Sequence, residues 1–363
     1  MSNISETIDK DSAKRVTINS SLAGDVWHSR PGERSYEWWY FDALSDDGHE
    51  AVAITFTDNY VFSPRYATFV AGAVSEPRRF PAISFLFSSA GKTLFRTINE
   101  YSERQFESGT DEVRCTVGQS SFRIDSVSYG SGYLIKINIP VSPTRTLIGT
   151  FEWLMIDADL STEKDQKITE TESWNIVSPR SDVSGRIELV GRSGRSKRTC
   201  HFRGTGYHDH LVGSEAIQDT VTCRQWGRAH FIDTTAIYRV ERSNDLRPSD
   251  CRLLLVRDGK LSEASAEAEL GRFRRDKFGV KYPRRLNITA DNGVRLRIKP
   301  IRVIESSFYN VRFLSEMTLM LRDGKPRKTI GITEHLSPRN SRFRLFRWIS
   351  DLSIGKNGRG PIL

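Results

Sequence analysis

The sequence is poor in the features that most quickly assign a protein. Its four cysteines, Cys115, Cys200, Cys223 and Cys251, lie far apart and form no CxxC pair. Reduced thiols in a cytosolic setting are therefore expected, rather than a disulfide framework or a zinc ribbon. No stretch approaches the ~18 consecutive apolar residues read as a membrane-crossing helix. The opening MSNISETIDKDSAKRV lacks the basic-then-apolar order of a secretory leader. A GxSxG elbow, a phosphate-binding GxxxxGK[ST] loop and a GxGxxG behind a strand are all missing, so serine-hydrolase, nucleotide-hydrolase and nicotinamide readings lack support. Nucleic-acid-binding signatures are missing as well. The excess of 54 Lys+Arg over 45 Asp+Glu, a net charge of +9, then points to a solvated basic surface or to an anionic membrane surface.

What the sequence does hold is a succession of short β-type runs. AVAITFTD, ATFVAGAV, YLIKINIPV and GRIELVG precede residue 213, and RAHFIDTTAIYRV, CRLLLVRDG and EMTLMLRDG follow residue 225. They are rich in Val, Ile, Thr and aromatics and are bounded by Gly, Pro, Ser, Asn or Asp. ADNG, inside RRLNITADNGVRLRIKPI, is a hairpin signal. SEASAEAELGRF is a weak helix candidate, and RFRLFRWISDLSI sets Leu345, Ile349 and Leu352 at helical spacing beside Arg342, Arg344 and Arg347. The expected fold is all-β, two packed barrels or sandwiches. Residues 1–25 read as a loose N-terminal arm, 26–217 as one β domain, and 218–363 as a second ending in an amphipathic helix.

The stretch SYEWWYFDAL, residues 35–44, sets four aromatic residues in a row between Glu37 and Asp42. A strand with one face in water alternates apolar with polar, so this strand must bury aromatics on both faces. Trp38 and Tyr40 share one face with Asp42, and Trp39 and Phe41 share the other with Glu37. One face suits ordinary core and the other suits a cavity wall.

The densest polar cluster is GTGYHDHLVG, residues 204–213. Tyr207, His208, Asp209 and His210 can all donate or accept protons, and a carboxylate beside an imidazole can raise its pKa into a useful range. On a strand Tyr207 and Asp209 face one way and His208 and His210 the other. Acid–base chemistry competes here with a structural role between the two halves. A metal site using His208 and His210 with His201 or Cys223 lacks any zinc-type spacing, so no metal is expected. Trp174, Trp226 and Tyr238 are further candidates for a cavity wall or for core.

Together YEWWYFDA, WNIVSPRSDVSG, GTGYHDH, WGRAHF and FYNVRFLSE, in order from about residue 36 to 316, resemble the carotenoid 1,2-hydratase (hydroxyneurosporene synthase) family with its AttH-like relatives. The resemblance implies two lipocalin-like β domains with a hydrophobic pocket at their junction. It also implies water addition to an isoprenoid double bond without a cofactor, or, as in fungal relatives, polyene cyclisation of the Diels–Alderase kind. In the hydratases the motif reads His-Asp-His-Asn-Trp-Gly, and its second His and its Trp are implicated in catalysis. Here Leu211 and Val212 replace the Asn and Trp. A downstream Tyr is matched by Tyr238, while Arg239 and Val240 stand where an Asp belongs.

The expectation is thus a cofactor-free enzyme hydrating or cyclising a hydrophobic polyene or isoprenoid. His210 is its proton donor or orienting group and Asp209 and Tyr207 assist. Glu37, Trp38, Tyr40, Trp174, His208, Trp226 and Tyr238 form the substrate pocket. A lipocalin-like carrier of a lipid or polyene is the alternative. The expected location is cytoplasmic, with peripheral membrane contact through the basic C-terminal segment and no nucleic-acid partner.

Overall fold

A computed structural model describes residues 16–362, except 31, 33, 70–78, 128–129, 163–171, 244–249 and 323. Almost every run read as β is a strand, and the strands gather into two sheets. The first has 13 strands and runs from Gly355–Lys356 through Lys92–Glu100, Ala82–Ser89, Glu50–Thr57, Tyr36–Ser45 and Ser196–Gly213 to Glu172–Gly191. It continues through Arg145–Asp157 and Gly130–Ser142 to the short strands ending at Phe106–Ser108. This sheet curls around its own core, in which Trp39, Phe41, Phe85, Phe151 and Trp153 pack together.

The second sheet closes on itself. Eight strands run Lys260–Arg275, Asp250–Arg257, Thr235–Ser243, Val221–His230, Arg327–Leu336, Asn310–Met320, Arg295–Ser306 and Lys281–Ala290, and the last pairs with the first. Closure pairs most of both outer strands with each other and leaves only the start of Lys260–Arg275 open on that side. Its interior holds Tyr238, Leu253, Ile288 and Met317. The all-β fold of two lipocalin-like units is thereby established, one a curled sheet and the other a closed barrel. A third apolar cluster, with Tyr40, Trp174, Ile237 and Leu314, lies where the barrel's outer wall meets the first sheet.

The two units exchange strands. Ser161–Thr162, from the first half, extends the barrel beside Lys260–Leu261, and Gly355–Lys356, from the second half, pairs with Asn99–Glu100. The chain crosses between the units through Ile217–Thr220, a single helical turn.

Three local expectations are corrected. ATFVAGAV is not a strand: Ala67 and Thr68 belong to the helix Pro64–Thr68, which Ser63 caps and Pro64 starts, and residues 70–74 lie outside the described residues. SEASAEAELGRF is not helical; it belongs to the strand Lys260–Arg275. Its Ala, Glu and Leu favour a helix locally, but pairing with Asp250–Arg257 on one side and Lys281–Ala290 on the other closes the barrel and prevails. Residues 16–25 are not loose either: Val16–Asn19 runs parallel to Glu172–Asn175, and Asp25 is buried. Residues 1–15 lie outside the described residues. The ADNG segment does turn a hairpin, with Gly293 at φ +84°, a conformation that costs glycine little. The C-terminal segment forms the helix Arg344–Leu352. Among the described residues no helix is long and apolar enough to cross a membrane.

Candidate active site between the two units

Two neighbouring strands build the site, and alternation decides what each side chain meets. In Tyr36–Ser45, Trp39 and Phe41 are fully buried in the core of the first sheet. Trp38 and Tyr40 face the barrel and line a cavity of about 160 Å³ between the units. The adjacent strand Ser196–Gly213 sets Asp209 opposite Tyr40, His210 opposite Trp39 and Leu211 opposite Trp38. Gly206 is required there by close approach, since a Cβ would lie 2.5 Å from Val183 Cγ2. On the far side, WNIVSPRSDVSG runs past His210 and His208 with shifts of register around Ser178. Pro179 has no N–H to give to the ladder, which fits that irregularity.

Asp209 is the one carboxyl among the expected residues that opens on the cavity. Trp174 Nε1 and the Tyr207 hydroxyl both donate to its Oδ2, each at 2.8 Å. Burial pushes its pKa up to about 6, against the lowering effect of those two donors. With Oδ2 already accepting twice, a bound proton belongs on Oδ1. Trp38, Tyr40, Trp174 and Trp226 supply aromatic walls, and among the described residues Trp226 Nε1, a buried donor, has no hydrogen-bond partner.

The lining also holds paired charges. Arg239 donates to Glu172 and Glu241 at 2.5 and 2.6 Å, and Arg224 to the same two at 3.0 and 2.8 Å. Arg312 reaches Glu305 at 2.7 Å and Glu334 at 3.1 Å, and Arg96 reaches Glu305 at 3.0 Å. Burial raises the Glu334 pKa, whereas Glu305, equally buried, is held low by Arg312 and Arg96. Arg312 lies 5.4 Å over the Tyr40 ring and Arg239 lies 5.8 Å over Trp174. Those two ring faces already hold cations, so Trp38 and Trp226 remain to meet positive charge in the cavity. Buried pairs of this kind fix geometry more than they add stability.

His210 does not share that cavity, and the expectation that it works beside Asp209 and Tyr207 is corrected. Strand alternation turns it into the first sheet, where it stacks on Trp39 at 4.5 Å between ring centres. Its Nε2 is 3.2 Å from Glu37, and its Nδ1 is 3.2 Å from Asp25. His208 Nε2 lies 3.1 Å from Asp25, and the Tyr133 hydroxyl donates to Asp25 at 2.6 Å. Burial opposes charge on His210, but hydrogen bonds and charge from Asp25 and Glu37 outweigh it and raise its pKa to about 9. Burial likewise raises Asp25 and Glu37, yet the histidines bring both down to about 2. His28, Glu37 and His210 present ligand atoms within 4.8 Å of one another. A metal ion there has to displace the proton that His210 holds.

Of the expected residues, then, Trp38, Tyr40, Trp174, Trp226 and Asp209 line the cavity, and Tyr207 stands behind Asp209. Glu37 and His208 join His210 in the first sheet's interior, and Tyr238 points into the barrel. They were expected in the substrate pocket, and strand alternation turns them away from it. Sequence reasoning missed Arg96, Arg224, Arg312 and Glu305. A signal was present: Arg224 and Arg228 in Val221–His230, and Arg239 and Glu241 in Thr235–Ser243, stand at even spacing, so each pair shares one face of its strand.

A cavity between a curled sheet and a closed barrel, walled by aromatic side chains and paired charges and with the Asp209 carboxyl opening into it, marks a member of the lipocalin-like β proteins. The chain belongs to the carotenoid hydratase CrtC family, whose profile matches residues 53–354. It is 22% identical over 360 residues to a hydroxyneurosporene dehydrogenase of Chlorobaculum tepidum, covering 95% of this chain and 93% of the relative. It is 28% identical over 207 residues to an acyclic carotenoid 1,2-hydratase of Thiocapsa roseopersicina, covering 56% of this chain and 47% of that one. Among solved structures, CghA with Sch210972 shares the fold at a TM-score of 0.61 and 14% identity, over 89% of this chain and 95% of CghA.

Proposed function

We propose that this protein adds water across a carbon–carbon double bond of an acyclic, carotenoid-type polyene held between the two units, with Asp209 as the acid. One observation carries this reading: the Asp209 carboxyl, its pKa raised to about 6 by burial, opens on a cavity walled by Trp38, Tyr40, Trp174 and Trp226. Protonated Asp209 gives its proton to an alkene carbon, which leaves a carbocation and a carboxylate. The faces of Trp38 and Trp226 stabilise the cation. Water adds to it, and the resulting oxonium returns a proton to Asp209. The balance is alkene plus water giving alcohol, with the acid regenerated.

The family and the names of its hydratase relatives support the substrate class. The replacement of the motif's Asn and Trp by Leu211 and Val212 is accommodated, because Leu211 lines the cavity as an apolar wall and the aromatic faces come from other strands. The test is mass spectrometry after incubating the protein with a detergent-solubilised acyclic carotenoid. A gain of one water supports the reading. Unchanged mass with a new retention time replaces it with cyclisation. Loss of two hydrogens replaces it with the activity in the name of the Chlorobaculum relative. Bound, unaltered polyene without turnover makes the protein a carrier.

A further inference from the structure

The helix Arg344–Leu352 buries only part of its circumference. Phe346 points inward and stacks on Phe308 at 4.6 Å. Among the described residues the other side of the helix is largely uncovered: Leu345 is 62% and Trp348 63% exposed, and Phe343, which sets its ring edge-on to Phe346 at 5.5 Å, is 58% exposed. Large apolar side chains exposed in a contiguous group mark an interaction site, whereas single ones are ordinary. The same segment carries Arg339, Arg344 and Arg347, and also Arg342, which pairs with Asp219; its one acidic residue between positions 337 and 352, Asp351, pairs with Lys356. Phe343 also borders a groove with Phe273, itself 50% exposed, and with Lys281.

We propose that this helix docks the protein on an anionic lipid bilayer. Aromatic and aliphatic side chains enter the headgroup–acyl boundary while the arginines meet lipid phosphates and carboxylates, as a basic amphipathic helix lying in the interface plane requires. The choice of lipid as occupant rests on charge complementarity: apolar side chains on an arginine-bearing segment match a negatively charged, greasy surface, and the whole chain carries +9. The long arginine side chains keep their guanidinium groups at headgroup level while their stems cover apolar surface.

The helix is linked to the cavity lining through an aromatic contact. Phe308, on which Phe346 stacks, precedes Tyr309, a cavity-lining residue whose hydroxyl pairs with that of Tyr60. Phe62 stacks on Tyr309 at 4.6 Å. Docking through the helix therefore brings the Tyr60–Tyr309 part of the lining near the bilayer, from which an apolar substrate can enter. This last step rests on the function proposed above; the docking itself does not.

The experiment is co-sedimentation of the full chain with vesicles of phosphatidylcholine alone and with vesicles that also contain phosphatidylglycerol, with no polyene present. The expected result is binding to the anionic vesicles only, weakened by salt. Leu345→Ser with Trp348→Ser should lower the apparent affinity by about tenfold or more, and Arg344→Gln with Arg347→Gln should abolish the preference for phosphatidylglycerol. Both variants should keep the wild-type melting temperature and the turnover of detergent-solubilised polyene. Equal binding by wild type and the Leu345/Trp348 variant, or no binding to anionic vesicles, overturns the proposal. A concentration-dependent dimer that the same variant abolishes assigns the stripe to a second copy of the chain instead. Because binding is read without substrate, failure of the hydration reading leaves this outcome intact.

Discussion

Asp209 and His210 are adjacent in the chain and stand on opposite faces of one strand. Asp209 opens on the cavity between the two units, held by Trp174 and Tyr207, while His210 is clasped inside the first sheet by Asp25 and Glu37. This separation gives the two groups different tasks. The carboxyl can carry a proton to a ligand. The imidazolium shares its charge between two buried carboxylates, Asp25 and Glu37, which His208 and His28 also contact.

The pH dependence of turnover distinguishes them. With Asp209 as the acid and a pKa of about 6, kcat/KM should be flat below that value and fall about tenfold per pH unit above it. An imidazolium of pKa about 9 at His210 would instead hold the rate level across neutral pH. Initial rates in detergent between pH 5 and 9 decide the matter.

Trp174→Phe should move that inflection upward. The indole N–H donates to Asp209 and favours its charged form, so its loss raises the carboxyl pKa. Stability should drop by about 1–2 kcal/mol as a buried hydrogen bond is lost. The two effects are read separately, from the pH–rate profile and from denaturant unfolding. An inflection that stays in place or moves down contradicts the assignment.

His210→Ala should be costly to the fold. It leaves Asp25 and Glu37 buried without their shared cation, and breaking such a cluster costs about 3–5 kcal/mol. The cost depends on pH in a defined way. The raised His210 pKa gives stability that is complete below its unfolded value of about 6.5 and is lost as pH rises through about 9. The lowered Asp25 and Glu37 pKa values give stability present above their unfolded values of about 4 and lost as pH falls through about 2. The difference in unfolding free energy between wild type and variant should therefore peak between about pH 4.5 and 6.5. A difference that is the same at pH 5 and pH 9 refutes this account of the cluster.

Much of this was legible in the sequence. The alternation within SYEWWYFDAL separates Trp38 and Tyr40 from Trp39 and Phe41, and the structure sends the first pair to the cavity and the second to the core. GTGYHDH sets Asp209 and His210 on opposite faces by the same rule, yet nothing local says which face meets the barrel. That is fixed by long-range pairing: Tyr36–Ser45 lies beside Ser196–Gly213, and Arg228 reaches across from the barrel to Asp42 at 2.7 Å. The arginine–glutamate frame was hidden for a related reason. Glu172 and Arg239 are 67 residues apart, and only the packing of barrel on sheet makes them partners.

The central claim is tested most directly by Asp209→Asn, assayed with an acyclic carotenoid near pH 6 by mass spectrometry. Asparagine can still accept from Trp174 and Tyr207 and cannot donate an acidic proton. Because burial raises the Asp209 pKa, the stability linked to its protonated form is complete below about 4 and lost as pH rises through about 6. Above that pH the variant should be at least as stable as the wild type. The account predicts a folded protein that still binds the polyene and forms hydrated product at least ~100-fold more slowly. Hydration at the wild-type rate by this variant would contradict it and remove Asp209 as the proton donor.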